Sequence, residues 1–495
     1  MALLIEKGAD VNAFSQTLGP VINAAIRSGT VDAVKQIMSG DIRFDMDYTT
    51  CAPPLSLAAG LLEPSLFRDI LESGREKWLQ NVKLLDQALV AASYSERLES
   101  VRILLEFPVT YTNDTLENSI IQAALENNWS TVEALLDHTI SGTIEGKRRN
   151  VRLFEVFYLA VTSREERLET LDTIWGLVAH EIPQEVRDYS LYQAAVLRKD
   201  STVLWLLKTG GANANATAER PKSITVDYPN IASLPDFWNV LNAAASTGNS
   251  TVVTAVLESG ATLNHDRDYS LQLAATEGHT EVVEILLARG ALIDKQMADS
   301  EELGFLSGTA LQAACDYSKP DTVASLVRHG ANPNLGGGTL TNPITSATQK
   351  AQNNILRLLL SAPNIDVNVT GGDDKSTPLI HAAASMPLEF VRLLVKKGAN
   401  TNAQNSTGDT PLLMAALKGE KACVEFLCDE GADATYKSAQ RGLPIQVAAQ
   451  ASHPLCAHVL AEKMAGLIAD YREQGSCLSA PPFASMLTDC RSQGR

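Results

Sequence analysis

The cysteines and histidines near the carboxy terminus are the side chains best equipped for chemistry: Cys423, Cys428, His453, Cys456 and His458. Thiolates and imidazoles can hold zinc, but zinc sites draw on closely spaced ligand pairs. Cys423 and Cys456 instead stand 33 residues apart, at matching places in two similar stretches, and are expected to be small core residues, the usual role of free cysteine. Cys315 replaces the second alanine of an Ala-Ala pair, again a packing position. His279 sits in GHTEVV at a helix start and His381 sits beside an alanine pair. Structural hydrogen bonding or burial is expected at both, not acid–base catalysis. The chain has no HExxH, no GxSxG, no GxGxxG after a strand, no complete P-loop and no EF-hand loop. GTIEGK at Gly142 has a lysine at the wrong spacing. The chain is therefore expected to be no enzyme and to hold no metal or cofactor.

Composition narrows the class. Of 495 residues, 45% are hydrophobic and 20% charged, too apolar for disorder and too interrupted by charge for a membrane span. Leu3, Leu4 and Ile5 are followed at once by Glu6 and Lys7, so no signal-peptide core is present. The chain is read as intracellular and cytoplasmic, with the nucleus as the alternative. A net charge of −17, spread over the whole length, opposes phosphate binding and argues against nucleic acid as the partner. Lys147 to Arg149 form the one tight basic cluster and read as a solvated loop. Seven cysteines describe no disulfide framework.

What positions these residues is a period. The stretches TPLIHAA (Thr377 to Ala383) and TPLLMAA (Thr410 to Ala416) define a marker alanine. Equivalents occur at Ala24, Ala58, Ala91, Ala123, Ala160, Ala194, Ala244, Ala274, Ala314, Ala347, Ala382, Ala415 and Ala448, mostly about 33 residues apart. Each unit has its own mechanics. The Thr410 hydroxyl can cap a helix and Pro411 suits its first position, where a missing N–H costs nothing. Ala415 and Ala416 allow close approach, and Gly419 ends the helix in a positive-φ conformation. VVEILL, Val282 to Leu287, gives a second helix an apolar face. Gly290, Gly330, Gly398 and Gly431 stop successive second helices, and Asn332, Asn400 and Asp433 open the turns that follow.

This grammar resembles the ankyrin repeat, a β-turn plus two antiparallel helices with a TPLHxA signature. YSLQLAATEGHTEVVEILLARGALID, Tyr269 to Asp294, is close to a consensus unit. The resemblance covers roughly residues 1–465 and is closest over Leu271 to Asp433. It implies an all-α solenoid of about 13 units plus an amino-terminal half unit. Residues 1–13 are read as that truncated half repeat. Residues 14–215 are read as degenerate repeats that keep the apolar spacing but lose most of the TP and GADxN words. Residues 216–236, with Pro221, Pro229 and Pro235, are read as an inserted loop where the array can bend. Regular repeats over 237–452, a capping helix over 453–474 and a flexible tail over 475–495 complete the organisation. The half unit raises the expectation that the natural chain extends upstream of Met1.

The resemblance also implies where partners bind. Family members meet other proteins at the turn tips and along the exposed side of the first helices. Carried over by position, this selects Arg267, Tyr269, Glu277, Tyr317, Asp374, Asp409, Lys418, Lys437 and Arg441, with Arg27 and Tyr94 in the degenerate half. Gln272, Gln312 and Gln446 take the signature histidine's place, where an amide can bond the neighbouring turn. Asn12 and Asn368 each end an LxxxxxDVN string, a form that asparaginyl hydroxylases modify in the family; a purely turn-tying role is the favoured reading. Trp205 in TVLWLLK is expected to pack under the proline-containing loop, with a contact anchor as the alternative. The implied function is a non-catalytic protein-binding scaffold or adaptor, with no nucleic acid, no membrane span and no small-molecule substrate. The alternative is the recognition arm of a larger signalling or catalytic polypeptide whose effector domain lies upstream of Met1.

Overall fold

The computed structural model describes residues 9–15, 19–38, 52–141, 153–217, 219–222, 224, 239–265, 268–296, 308–336, 342–372 and 374–473. The chain divides into two compact units, one of residues 1–240 with 255–261 and one of residues 241–254 with 262–495. Arg267, most of the proline-containing loop and the stretch 475–495 lie outside the described residues.

The second unit is a stack of helical hairpins. Ser270–Glu277 pairs with Thr280–Ala288, Ala310–Asp316 with Pro320–Arg328, and Pro343–Gln349 with Asn353–Ser361. Pro378–Ser385 pairs with Leu388–Lys396, Pro411–Lys418 with Lys421–Asp429, and Pro444–Gln450 with Pro454–Glu473. The first helix of each pair is short because both its ends are fixed locally. Thr309, Thr377 and Thr410 each accept a hydrogen bond at the side-chain oxygen from the third backbone N–H beyond, and Asn342 does the same. Such a cap stabilises a helix by about 1 kcal/mol. At the other end Gly419 takes φ 79°, as expected, and closes the helix after Lys418. Val282, Val283 and Leu286 of the second helix are buried, as are Ala274 and Ala275 of the first.

Two further devices join each hairpin to its neighbour. The first is a row of side-chain amides in the turns. Asn368 donates from Nδ2 to the Gly398 carbonyl (3.0 Å) and accepts at Oδ1 from Asn400 N–H (2.8 Å). Asn402 repeats the pattern with the Gly431 carbonyl (3.0 Å) and Asp433 N–H (2.8 Å). Asn264 and Asn334 make the same pair of hydrogen bonds to the turn that follows, and Asp294 makes the accepting one from Asn332 N–H. Two residues earlier, Asn332, Asp366, Asn400 and Asp433 fold each turn by accepting from a backbone N–H two positions on.

The second device is a side chain at the start of several second helices that reaches back over the preceding hairpin. His279 Nε2 lies 3.1 Å from the Ser246 carbonyl, Gln352 donates to the Cys315 carbonyl at 2.9 Å, and the His453 ring covers Gly419. A Cβ on Gly419 would stand 2.4 Å from that ring, so the position needs glycine for space as well as for φ. Carbonyls at a helix end are thus satisfied from the next unit along.

The first unit uses the same hairpins, three of them with longer first helices. Val82–Tyr94, Asn113–Leu125 and Gln184–Val196 each have 13 residues, against 7 or 8 for first helices of the second unit. The extra turn is added at the amino end, where the second unit has its β-turn, which accounts for the missing Thr-Pro words. Val21–Arg27 with Val31–Met38, Pro54–Leu61 with Pro64–Ser73, and Leu153–Thr162 with Leu168–Val178 complete its regular pairs, alongside Leu98–Glu106, Trp129–Ser141 and Asp200–Lys208 as second helices. An unforeseen helix, Arg75–Gln80, carries Trp78 back over Pro64–Ser73; its Nε1 donates to the Ile70 carbonyl at 3.3 Å. Reach-back is present here too. Arg97 donates to the Leu61 carbonyl (3.3 Å), and buried Lys199 donates to the Ser163 and Glu165 carbonyls.

Several expectations need adjustment. Gln272 bonds the Lys295 carbonyl of the following turn, as expected, but Gln312 donates to Asp316 of its own helix and Gln446 accepts from Leu443 N–H. Trp205 packs against the preceding hairpin, edge-on to Trp175 at 5.6 Å between ring centroids, with Nε1 donating to Asp172 Oδ1 at 2.6 Å. In the final helix Val459 and Leu460 are buried, whereas Leu455 is 64% exposed.

Candidate functional site

The described candidates fall into two groups. Asp374, Asp409 and Arg441 are engaged in building the turn tips. Asp409 is buried and accepts from Arg441 Nε at 3.0 and 3.1 Å and from Thr407 Oγ1 at 3.0 Å. Asp374 accepts from Ser376 N–H and Oγ, and its carbonyl accepts from Ser406 N–H at 2.8 Å. Two neighbouring tips are thereby stitched together by one ion pair. Tyr269 is half-buried; its N–H donates to Asn242 Oδ1 and its ring lies under the Lys295 ammonium.

Glu277, Tyr317, Lys418 and Lys437 are exposed. The first three occupy one register, the carboxy ends of first helices, and successive hairpins bring them into a row. Lys350 stands in the same row; the marker-alanine offset that selected its neighbours would have found it. Its ammonium donates to the Asp316 carbonyl at 2.7 Å. Tyr317 is 41% exposed, and its phenol is raised above its ordinary value, first by burial and then by the Asp316 and Glu277 carboxylates. In the first unit the same register carries Arg27, Leu61, Tyr94 and Glu126, all exposed.

Cys315, Cys423 and Cys456 serve the interior, whereas His458 is exposed. Burial pushes the Cys423 thiol up to about 12 and the Cys428 thiol to about 11, and Cys315 rises for the same reason. Such thiols stay protonated at neutral pH, the form that suits packing. His381 is lowered by burial, opposed by Asp374. Asn368 has both ends of its carboxamide committed to the next turn. Among the described residues, no helix is long and apolar enough to cross a membrane.

Comparison with known proteins places this geometry. The family model for ankyrin repeats (3 copies) matches residues 191–299, 351–438 and 379–471. The human transient receptor potential cation channel subfamily A member 1 is 30% identical over 140 residues, 28% of this chain and 12% of the channel. The ankyrin repeat and KH domain-containing protein mask-1 of Caenorhabditis elegans is 34% identical over 97 residues, 19% of this chain and 4% of that protein. The chain therefore spans only a small part of these relatives. Among solved structures, the human ASB11 ankyrin repeat domain aligns at 24% identity and TM-score 0.37, over 45% of this chain and 96% of that one. The Bcl-3 ankyrin repeat domain aligns at 25% identity and TM-score 0.38, over 45% and 97%. With its period, its capped hairpins and the matching family model, the chain is an ankyrin-repeat protein.

Proposed function

We propose that the chain is a non-catalytic scaffold or adaptor that binds partner proteins along the rows formed within each unit by the carboxy ends of its first helices and at its turn tips. Ankyrin repeats are in general protein-interaction modules. The observation that carries the reading is the contrast within each hairpin. Turn amides, caps and reach-back side chains are committed to neighbours, while Leu61, Tyr94, Glu277, Tyr317 and Lys418 project from that fixed frame in matched register. Exposed aromatic side chains on a pre-organised surface are typical anchors of protein contacts. Affinity capture with the full chain and with a variant carrying Glu277→Lys, Tyr317→Ser and Lys418→Glu tests this. Loss of a defined set of proteins from the variant is the expected result; identical capture by both proteins rejects this row as the binding surface.

A second reading, the recognition arm of a larger polypeptide, is supported by the relatives, in which the matched stretches occupy 12% and 4% of the protein. An immunoblot of the endogenous product against the recombinant 495-residue chain separates the two by size.

A further inference from the structure

The row in the first unit differs in kind from that in the second. On the first helix Pro54–Leu61, Leu57 is half-buried and Leu61 is 50% exposed; on the next first helix, Val82–Tyr94, Val90 is half-buried and Tyr94 is 56% exposed. Each pair is spaced i, i+4 and so lies on one helix face. The two helix ends are in close contact: a Cβ on Gly60 would lie 2.8 Å from Ser95 Oγ, and Arg97 reaches the Leu61 carbonyl. Leu57, Leu61, Val90 and Tyr94 therefore form one apolar strip across two hairpins. The corresponding register of the second unit carries Glu277, Tyr317, Lys350, Ser385 and Lys418, polar or charged on either side of a single aromatic.

The strip is bounded by opposite charges. Arg27 ends the first helix on one side of it and Glu126 caps the first helix on the other, both exposed and neither in an ion pair among the described residues. Neighbouring helices pack about 8–10 Å apart. A helix laid across them advances that distance in roughly five to seven residues at 1.5 Å each, and a spacing of about seven keeps successive anchors on one face. We infer that this surface receives an amphipathic helix of a partner protein. That helix presents two large apolar residues roughly seven apart to Leu61 and Tyr94, an acidic residue roughly seven before the first toward Arg27, and a basic residue roughly seven after the second toward Glu126. This rests on the protein-binding reading and narrows it to one partner chemistry and one place.

A displayed library of random peptides of about 24 residues, just longer than such a helix needs to span the four positions, is selected on the full chain. The expected enriched sequences carry the two apolar anchors with acid and base on opposite flanks. Purified peptides lose about tenfold or more in affinity for the exposed-site variants Leu61→Lys and Tyr94→Lys, the scale of a truncated anchor. Arg27→Glu exchanges the acidic preference for a basic one. Circular dichroism and melting, unchanged in these surface variants, separate lost binding from lost fold, and Leu61→Ser with Tyr94→Ser serves as the milder pair. Enriched peptides that bind the double variant as well as the native chain overturn the inference. If those peptides depend on Tyr317 or Lys418 instead, protein binding stands and this site falls; no enrichment counts against both.

Discussion

Lys199 shows what a single side chain does in this architecture. It stands where other hairpins place His279 or Gln352 and donates to carbonyls of the preceding hairpin from a buried site. Burial lowers it to about 8, partly opposed by Glu166. The folded value lies below the unfolded one near 10.5, so between about pH 8 and 10.5 the unfolded chain binds the proton more tightly and stability rises with pH. Lys199→Gln, which copies the uncharged solution found at Gln352, removes that rise. Urea midpoints of the two proteins at pH 7.5 and pH 10 check it; parallel pH dependence speaks against the assignment. Sequence reading placed the histidine in GHTEVV at a helix start but not its contact with Ser246, because reach-back joins residues 33 apart and leaves no local pattern. Leu61 was overlooked for a different reason. A leucine at that offset looks like core, and only the structure shows it 50% exposed.

At the scale of the element, the second unit was readable nearly residue by residue. Thr410, Pro411 and Gly419 each act through bonds within their own turn, which propensity rules capture. The first unit was readable only as apolar spacing. Three of its first helices gain a turn at the amino end, and the Arg75–Gln80 helix exists because Trp78 finds cover on the preceding hairpin, a tertiary cause. The asparagine rungs lie between these cases: the GADxN word marks the turn, and the fold reveals that its last residue spans to the next one. Asn402→Ala deletes two bonds, each contributing about 1 kcal/mol net, and so lowers stability by about 1–2 kcal/mol in its partly exposed setting. Hydrogen exchange at the Asp433 amide should accelerate; unchanged protection there denies the rung a stabilising role.

On the scale of the whole molecule, each hairpin depends on those beside it, so stability is a sum of local and nearest-neighbour terms and unfolding need not be two-state. The asparagine rungs set a rule for where the chain tolerates a change of length. Between a rung and the next first helix the number of residues varies, as over 297–307 and 337–341. From the glycine that ends a second helix to the asparagine of its turn, the count is held, because one residue more or fewer carries the carboxamide past its acceptor. Removing residues 300–304 should leave the denaturant midpoint nearly unchanged. Deleting Thr401 alone should weaken the bonds on both sides of the turn at once and cost more than the roughly 2 kcal/mol that two hydrogen bonds supply. Homologous chains are thus free to diverge in their loops while the spacing from Gly398 to Asn402 works as a fixed gauge for assembly.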